Sequence, residues 1–305
     1  MDSVELQMLQ SLPLDIKIAK SKLRIQEWVD FYGVDDCYIS FSGGKDSLVM
    51  LHLIKQLDIN DRIPVVFVDT GLEYPEIKQF VKKIYPNVTI LRPKKSFKQV
   101  IEEYGYPVIS KEQAQYIEDI RTGTEKIKLR RLEGVNGQFK LANKYRYLLD
   151  APFKISSKCC AIMKKEPIRN YENKSRRVPF LGMMADDSLL RKNMYLKSGC
   201  NSFDSARPKS MPIGFWTEQD ILQYIKNNNL ELCSIYGDIV QDENGKLKTT
   251  GNNRTGCIWC MFGLQYDGEE NRFQRLKITH PELHDYCMNK LGMKEVLEFM
   301  SEPYE

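Results

Sequence analysis

The first hundred residues alternate between two hydrophobic patterns. Apolar side chains recur at helical spacing from 15 to 32, and this pattern ends at Gly33. Residues 36–41 then have the aromatic and β-branched content of a short strand, and helical spacing resumes at 46–57 after two glycines. The sequence therefore predicts a strand, a glycine loop and a helix in succession.

The same alternation continues along the chain. Further strands are predicted at 63–68, 88–91 and 178–183. Further helices are predicted at 75–84, 96–104, 217–225 and 281–300, with loops at 203–214 and 236–254. Continuous apolar strands separated by helices are typical of a parallel sheet with helices on both faces. We therefore predict an α/β fold with a doubly wound parallel sheet.

The pattern also divides the chain into three parts. Residues 1–33 are predicted to form an N-terminal helical segment, 34–262 the sheet-containing domain, and 263–305 a C-terminal helical extension. Within the second part, 121–153 is charged and rich in turn residues. We expect this stretch to be an insertion or a flap.

Composition narrows the class of protein. A chain of 305 residues with 42% hydrophobic and 28% charged content can bury a real core, which excludes disorder and a disulfide miniprotein. The formal charge of +4 is too small by itself to indicate nucleic-acid binding. No apolar run approaches the roughly 18 residues of a membrane span, and the first residues do not resemble a signal peptide. We expect a cytoplasmic protein with no membrane partner.

The segment 40–47, which we call the phosphate loop, reads SFSGGKDS and joins the first predicted strand to its helix. Its glycines allow close approach of the backbone, and the amides at a helix N-terminus face an anion. It is not the GxxxxGK[ST] loop of kinases, because only two glycines separate Ser42 from Lys45. An ordinary strand-to-helix turn that contains glycines is the simpler interpretation. The complete S-G-G-K-D-S core between a predicted strand and a predicted helix favours instead a loop that binds pyrophosphate.

This loop resembles that of the PP-loop ATP pyrophosphatases. Other segments are similar to one branch of them, the phosphoadenylyl-sulfate (PAPS) reductase family. These segments are 68–76 (VDTGLEYPE), 182–191 (GMMADDSLLR) and 212–221 (PIGFWTEQDI). The resemblance runs from about 30 to 262 and implies a Rossmann-like fold of the adenine-nucleotide α-hydrolase type.

The resemblance implies a site for ATP or a related adenine nucleotide, with Mg²⁺ near the loop. The residues implied to bind phosphates or line the pocket are Ser40, Ser42, Gly43, Gly44, Lys45, Asp46, Ser47, Asp69, Thr70 and Gly71. Those implied to act in catalysis are Lys45, Asp46 and Arg191. Elementary chemistry agrees, since hydroxyls and amides donate to phosphate oxygens and Lys45 supplies charge. The simpler interpretations are a turn-capping carboxylate for Asp69 and a surface arginine for Arg191.

Two departures from the reductase pattern bear on the reaction. Met184 stands where the reductases usually carry arginine, which removes a cation from the implied anion pocket. The last residues, 301–305, lack the E-C-G-L-H motif that carries the reductase nucleophile. Cys287 is the last cysteine, and its helical surroundings make it a poor replacement. These departures favour ATP cleavage over reduction of a sulfonucleotide.

Four of the eight cysteines have a suggestive spacing. Cys159 and Cys160 are adjacent, and Cys257 and Cys260 form a C-x-x-C. We call these four residues the cysteine quartet. The segment 158–167 resembles the C-C-x-x-x-K-x-x-P segment of iron–sulfur adenylyl-sulfate reductases. This resemblance implies that the quartet holds a [4Fe-4S] cluster. Zinc bound by the same four thiolates is the chemical alternative to the cluster. Four buried thiols that bind nothing are the simplest interpretation. Cys200 could also replace one member of the quartet.

Three classes of function stay open at this point. The first is cleavage of ATP to AMP and pyrophosphate to activate an acceptor for sulfur transfer, as in nucleic-acid phosphorothioation or thiolation. The second is a sulfonucleotide reductase, and the third is a non-catalytic nucleotide or redox sensor in an assembly. For the first class, the basic stretches 126–131 and 164–177 could contact a nucleic-acid acceptor, although a solvated charged face is the commoner meaning. A sulfur-donor protein and a homodimer are further open expectations.

Overall fold

The computed structural model describes residues 2–57, 59 and 62–304. Its strands are β1 Cys37–Ser40, β2 Val65–Val68, β3 Thr89–Leu91, β4 Val108–Ile109, β5 Val178–Leu181, β6 Asn201–Ser202, β7 Lys209–Ser210, β8 Ile239–Gln241, β9 Leu247–Thr249 and β10 Met261–Phe262. Its α-helices are α1 Ser3–Gln10, α2 Leu14–Tyr32, α3 Lys45–Lys55, α4 Pro75–Ile84, α5 Phe97–Glu103, α6 Lys111–Thr122, α7 Glu125–Glu133, α8 Glu166–Ser175, α9 Leu189–Ser198, α10 Glu218–Asn227, α11 Arg272–Thr279, α12 Pro281–Asp285 and α13 Met293–Phe299.

The main sheet confirms the predicted α/β fold. It has six strands in the order β3-β2-β1-β5-β7-β6, parallel except for the pair β6 and β7. Ile39 in β1 lies opposite Val65 on one side and Phe180 on the other. The chain order reverses between β1 and β5, and ligands of open α/β sheets bind at such a switch point, beyond the carboxyl ends of the strands. The phosphate loop leaves β1 at that place.

Helices cover both faces of this sheet. On one face the Trp28 ring of α2 meets Phe180 of β5, with ring centroids 6.5 Å apart. On the other face Tyr38 of β1 meets Tyr171 of α8 at 5.2 Å. Because the central strands are buried on both sides, their side chains are apolar almost without alternation, as the sequence predicted.

The chain folds into two compact units. The first consists of Met1–Asp69, Tyr74–Leu91 and Ile168–Thr255, and it contains the main sheet. The second consists of Thr70–Glu73, Arg92–Pro167 and Gly256–Glu305, and it contains the parallel pair of β4 and β10. The boundaries at 33 and 262 stay predictions. No helix in the described part of the chain has the length and apolar character needed to cross a bilayer.

Three stretches predicted to be loops or an insertion contain regular structure. The stretch 121–153 contains helix α7 and a 3-10 segment at Asn143–Asp150. The Arg121 guanidinium holds this segment by donating to the carbonyl oxygens of Leu148 at 2.6 Å and Ala151 at 2.9 Å. The predicted loop 236–254 contains the antiparallel hairpin of β8 and β9. The predicted loop 203–214 contains β7, which pairs with β5 in the main sheet. The first stretch is therefore tied into the second unit by hydrogen bonds.

Candidate functional site

The phosphate loop is shaped by close approach of its backbone to α4. Gly43 has a φ of +74°, a conformation that favours glycine. A Cβ at this position would lie 2.8 Å from Cγ2 of Val81 and 2.9 Å from Cγ2 of Ile77. Any other residue here would be strained and would push these two side chains aside, so the loop backbone lies close against α4.

The serines of the loop hold its curve. The Ser42 N–H donates to the Ser47 hydroxyl at 3.2 Å, and the two hydroxyl oxygens lie 3.0 Å apart. The Gly44 N–H donates to the Ser42 hydroxyl at 3.3 Å, and the Ser47 hydroxyl donates to the Gly44 carbonyl at 2.9 Å. Ser40, the first residue of the loop, is also the last residue of β1. These bonds set the loop at the first turn of α3, where backbone N–H groups can receive an anion.

Lys45 is the central cation of the loop. Its side chain is only 4% exposed, and its ammonium lies 3.0 Å from the Glu218 carboxylate. The ammonium also donates to the Asn253 carbonyl at 2.7 Å. The Lys45 N–H donates to the Tyr236 hydroxyl at 3.4 Å, and that hydroxyl lies 2.9 Å from the Thr255 hydroxyl. The structure therefore adds residues around Lys45 that the sequence did not single out.

Asp46 lies in the same positive field. Burial raises the pKa of its carboxyl from 3.8 to about 6, and Asp187 acts in the same direction. The charges of Lys45, Arg254 and Arg191 oppose this shift. The Oδ1 atom of Asp46 is buried and has no hydrogen-bond partner among the described residues. Three cations thus act on one carboxyl group at the first turn of α3.

Asp187 positions two of these cations. Arg191 and Arg254 both form ion pairs with its carboxylate, and Arg254 Nη1 also donates to the Asp187 carbonyl at 3.0 Å. The Met184 N–H donates to the same carboxylate at 3.0 Å, and the Met184 side chain is 3% exposed. Sequence reasoning identified Arg191 and missed Arg254. The sequence offered one clue to Arg254, which is the single arginine in the turn-rich segment 251–256 (GNNRTG).

The predicted pocket residues at 69–71 belong to different units. Asp69 lies in the first unit, where its carboxylate is 2.9 Å from the Lys78 ammonium. Thr70 and Gly71 lie in the second, where the Thr70 hydroxyl donates to Glu73 at 2.7 Å. The roles predicted for Asp69, Thr70 and Gly71 in nucleotide binding stay predictions.

The cysteine quartet gathers in the second unit. Cys159 and Cys160 directly precede a π-helical turn at Ala161–Lys165, and Cys260, the last residue of the C-x-x-C that begins at Cys257, directly precedes β10. All four are free thiols. Burial raises the pKa of Cys159, and the other three cysteines add to that rise, so the four lie within electrostatic range of one another. Even so, no group of three or more His, Cys, Asp or Glu side chains in the described residues is arranged to hold a metal ion.

The surroundings of the quartet are cationic. Burial alone would lower the pKa of Lys164, but its interactions with Cys257 and Glu73 raise it. In turn, burial raises the pKa of Cys257 to about 11 against the opposing charge of Lys164. Arg272 donates to the Cys260 carbonyl at 3.0 Å, and the indole N–H of Trp259 is buried with no partner among the described residues. The residue types fit a cluster ligand set, although their arrangement is not that of a metal site.

The Thr70–Glu73 segment is bonded to the quartet. The Leu72 carbonyl accepts a hydrogen bond from the Ile258 N–H, inside the C-x-x-C, at 2.8 Å. Cys200 has other neighbours, because its sulfur lies 3.4 Å from the Tyr195 hydroxyl in the first unit. Within the second unit, therefore, a segment predicted to line the nucleotide pocket is held against two of the four cysteines.

Sequence comparison assigns the family. The profile of the phosphoadenosine phosphosulfate reductase domain matches residues 36–138 and 111–261, which is more than half of the chain. The chain belongs to this family. The match includes the phosphate loop, the segment 182–191 and all four members of the cysteine quartet.

Two curated relatives come from Methanocaldococcus jannaschii. The uncharacterized protein MJ0973 is 27% identical over 259 residues, which are 83% of this chain and 46% of that protein. The uncharacterized protein MJ0066 is 26% identical over 252 residues, which are 78% of this chain and 38% of that protein. The chain thus spans less than half the length of these relatives.

Solved structures give more distant similarities. The PAPS reductase from Candida auris, in a phosphate complex, is 14% identical with a TM-score of 0.42, covering 81% of this chain and 98% of that one. The FMN adenylyltransferase of Candida glabrata in complex with ATP is 12% identical with a TM-score of 0.44, covering 76% of this chain and 64% of that one.

Proposed function

We propose that this protein binds ATP, or a related adenine nucleotide, with its phosphates on the phosphate loop, and cleaves it to AMP and pyrophosphate. The observation that carries the proposal is a group of three cations: Lys45 lies in the first turn of α3, and Arg191 and Arg254 both pair with Asp187, whose charge and theirs act on Asp46 in that same turn. Preorganised cations and helix amides stabilise the charge that develops on a leaving pyrophosphate. A reaction at bound phosphates explains this group of cations better than a purely structural role does.

Each group has a definite proposed role. Lys45 exchanges its contact with Glu218 for one with a phosphate oxygen, while the hydroxyls of Ser42 and Ser47 donate to the same phosphates. Arg191 and Arg254 bind the outer phosphates. Mg²⁺ arrives on the phosphates, as is usual for an ion that keeps most of its waters and takes few protein carboxylates.

The proposed reaction is activation of an acceptor. An acceptor oxygen attacks the α-phosphorus, and the bond from that phosphorus to the bridging oxygen breaks, so that the electron pair leaves with pyrophosphate. A sulfur-donor protein then supplies hydrosulfide, whose sulfur forms a bond to the activated atom of the acceptor while the bond from that atom to its adenylated oxygen breaks, so that this oxygen leaves with AMP. A nucleic acid is the proposed acceptor, because α7 carries the basic run 126–131 and buries none of its residues.

The structure offers little to a sulfonucleotide reductase mechanism based on Cys287. Such a mechanism needs an exposed, activated thiolate. Cys287 is fully buried, its thiol donates to the His284 carbonyl at 3.1 Å, and burial raises its pKa to about 12. Met184 is also buried and carries no charge toward an anion. These observations favour ATP cleavage over the reductase alternative.

We also propose that the cysteine quartet holds a [4Fe-4S] cluster, whose bound form would supply one-electron redox chemistry. The four thiols and the neighbouring cation Lys164 support this proposal. Protein prepared anaerobically with sufficient iron should contain about four irons and matching acid-labile sulfide. The Cys257→Ser variant should lose this iron, whereas the Cys200→Ser variant should keep it. Stoichiometric zinc without iron or sulfide would reject the cluster.

One experiment separates the three functional classes. Pyrophosphate and sulfite are measured on the same sample, with Mg-ATP and a duplex oligonucleotide in one series and with PAPS or adenylyl sulfate plus a thiol reductant in another. Pyrophosphate from ATP with no sulfite supports the proposal. Sulfite at enzymatic rates would instead indicate a reductase, and ATP binding with neither product would indicate a sensor.

A further inference from the structure

A cavity lined by arginines lies in the first unit, away from the phosphate loop. Its volume is about 490 Å³, and we call it the arginine cavity. Its charged lining residues are Arg169, Glu172, Arg176, Arg177 and Arg207. Four positive side chains therefore face one negative side chain in a space of the size that small ligands occupy.

The single carboxylate of the cavity is already engaged. One oxygen of Glu172 accepts a hydrogen bond from the Tyr38 hydroxyl at 2.9 Å, and the other pairs with the Arg207 guanidinium. Arg169, Arg176 and Arg177 form no ion pair with any described residue. Arg169 and Arg176 are exposed and Arg177 is half-buried, so water partly screens their mutual repulsion, and an anion held between them would be attracted to all three.

The backbone at Arg176 gives an independent indication. Arg176 follows the end of α8, and its N–H donates to the Glu172 carbonyl at 2.8 Å. Its φ is +61°, a conformation that glycine adopts at the least cost at a helix end. The backbone conformation alone would favour glycine at this position. The arginine that stands there instead places a cation in the lining of the cavity.

The cavity is separate from the candidate nucleotide site. Its residues Val178 and Pro179 are the first two of β5, which runs parallel to β1. The phosphate loop follows the last residue of β1. The arginine cavity and the phosphate loop therefore lie at opposite ends of the same strands.

We propose that the arginine cavity is a second anion site that binds a small oligophosphate, meaning two adjoining phosphoryl groups, either as free pyrophosphate or as part of a nucleotide. Guanidinium groups pair with phosphate oxygens in a bidentate manner, and several of them suit an ion with more than one phosphoryl group. No aromatic ring is among the described residues that line the cavity, so nothing there stacks on the bases of a nucleic-acid strand. The proposal does not depend on the reaction at the phosphate loop.

The test uses a substitution that the fold should tolerate. Arg176→Gly removes a cation and places glycine where φ is positive, so its melting temperature should equal or exceed that of the parent. All variants are made in Lys45→Ala protein, so that binding at the phosphate loop is weakened about tenfold and what remains of it is the same in every variant. Pyrophosphate is titrated by calorimetry into this parent, into the added Arg176→Gly and Arg177→Ala variants, and into an added Lys174→Ala control that removes an exposed charge of α8 outside the cavity.

We expect pyrophosphate affinity to fall about tenfold in the Arg176→Gly and Arg177→Ala variants and to be unchanged in the Lys174→Ala control. Titrating ADP in parallel identifies the source, since a nucleotide site binds ADP more tightly than pyrophosphate and a pyrophosphate site does the reverse. Equal pyrophosphate affinity in all four proteins would overturn the proposal. Arg176-dependent binding of an oligonucleotide that pyrophosphate does not displace would also overturn it, in favour of a nucleic-acid surface.

Discussion

The contact between Gly182 and the first turn of α3 gives a sharp prediction about the phosphate loop. Gly182 directly follows β5, and a Cβ there would lie 2.7 Å from the Cα of Ser47 and 3.1 Å from the carbonyl carbon of Asp46. Carbon atoms in contact prefer about 3.5–4.0 Å. Because the atoms it would meet belong to the backbone, no side-chain rotation relieves the clash, and Gly182→Ala must displace this turn by about 1 Å.

The displacement should lower both stability and nucleotide affinity. Overpacking of this kind costs about 1–3 kcal/mol, and losing one charge-assisted hydrogen bond to a phosphate weakens binding about tenfold. Calorimetry measures both effects, as the melting temperature and as the dissociation constant for Mg-ATP. The control is Gly268→Ala, since Gly268 has no positive φ and a Cβ there would meet no atom of a described residue within 4 Å. If Gly182→Ala matched this control in both measurements, the described fit between strand end and loop would be wrong.

Three further predictions concern side chains of the loop. Lys45→Ala should weaken ATP binding by about tenfold, whereas Lys55→Ala at the other end of α3 should not; equal affinities would remove Lys45 from the site. Glu218→Gln should tighten ATP binding about two- to fivefold, because the partly exposed Glu218 carboxylate no longer competes with a phosphate for the Lys45 ammonium. Weaker ATP binding in this variant would show instead that Glu218 assists the nucleotide. Asp46→Asn should raise the free energy of unfolding by about 2–3 kcal/mol above pH 7 but change it little near pH 4. Burial raises the pKa of Asp46 from 3.8 to about 6, so the ionised carboxylate increasingly destabilises the folded state as the pH rises through that window. An equal change in melting temperature at both pH values would contradict this prediction.

The central strands and the phosphate loop were accessible from the sequence. Apolar runs bounded by turn residues predicted strands at 36–41 and 63–68, which the structure places at Cys37–Ser40 and Val65–Val68. The helix predicted at 75–84 has those bounds in the structure. These elements are encoded locally, because each buried strand must be apolar on both faces and each change of direction needs a glycine or proline.

The partners of Lys45 were not accessible in the same way. Tyr236 and Asn253 lie 191 and 208 residues away along the chain, in turn-rich sequence without a periodic pattern. Which turns face the loop is decided by packing, and a single sequence carries no local signal for it. Helix α7 was missed for another reason. None of its residues is buried, so it has no apolar stripe for a pattern to reveal.

The identity of the products formed from ATP tests the proposed cleavage to AMP and pyrophosphate most directly. Wild-type protein, the Lys45→Ala variant and the Lys55→Ala control are each incubated with Mg-ATP and a duplex oligonucleotide, and phosphorus NMR follows the products. We expect pyrophosphate from the wild type and the control, with the AMP group either transferred to the oligonucleotide or released to water, at a rate that Lys45→Ala lowers by about tenfold or more. ADP and orthophosphate as the products, or pyrophosphate formed at the same rate without Lys45, would contradict it.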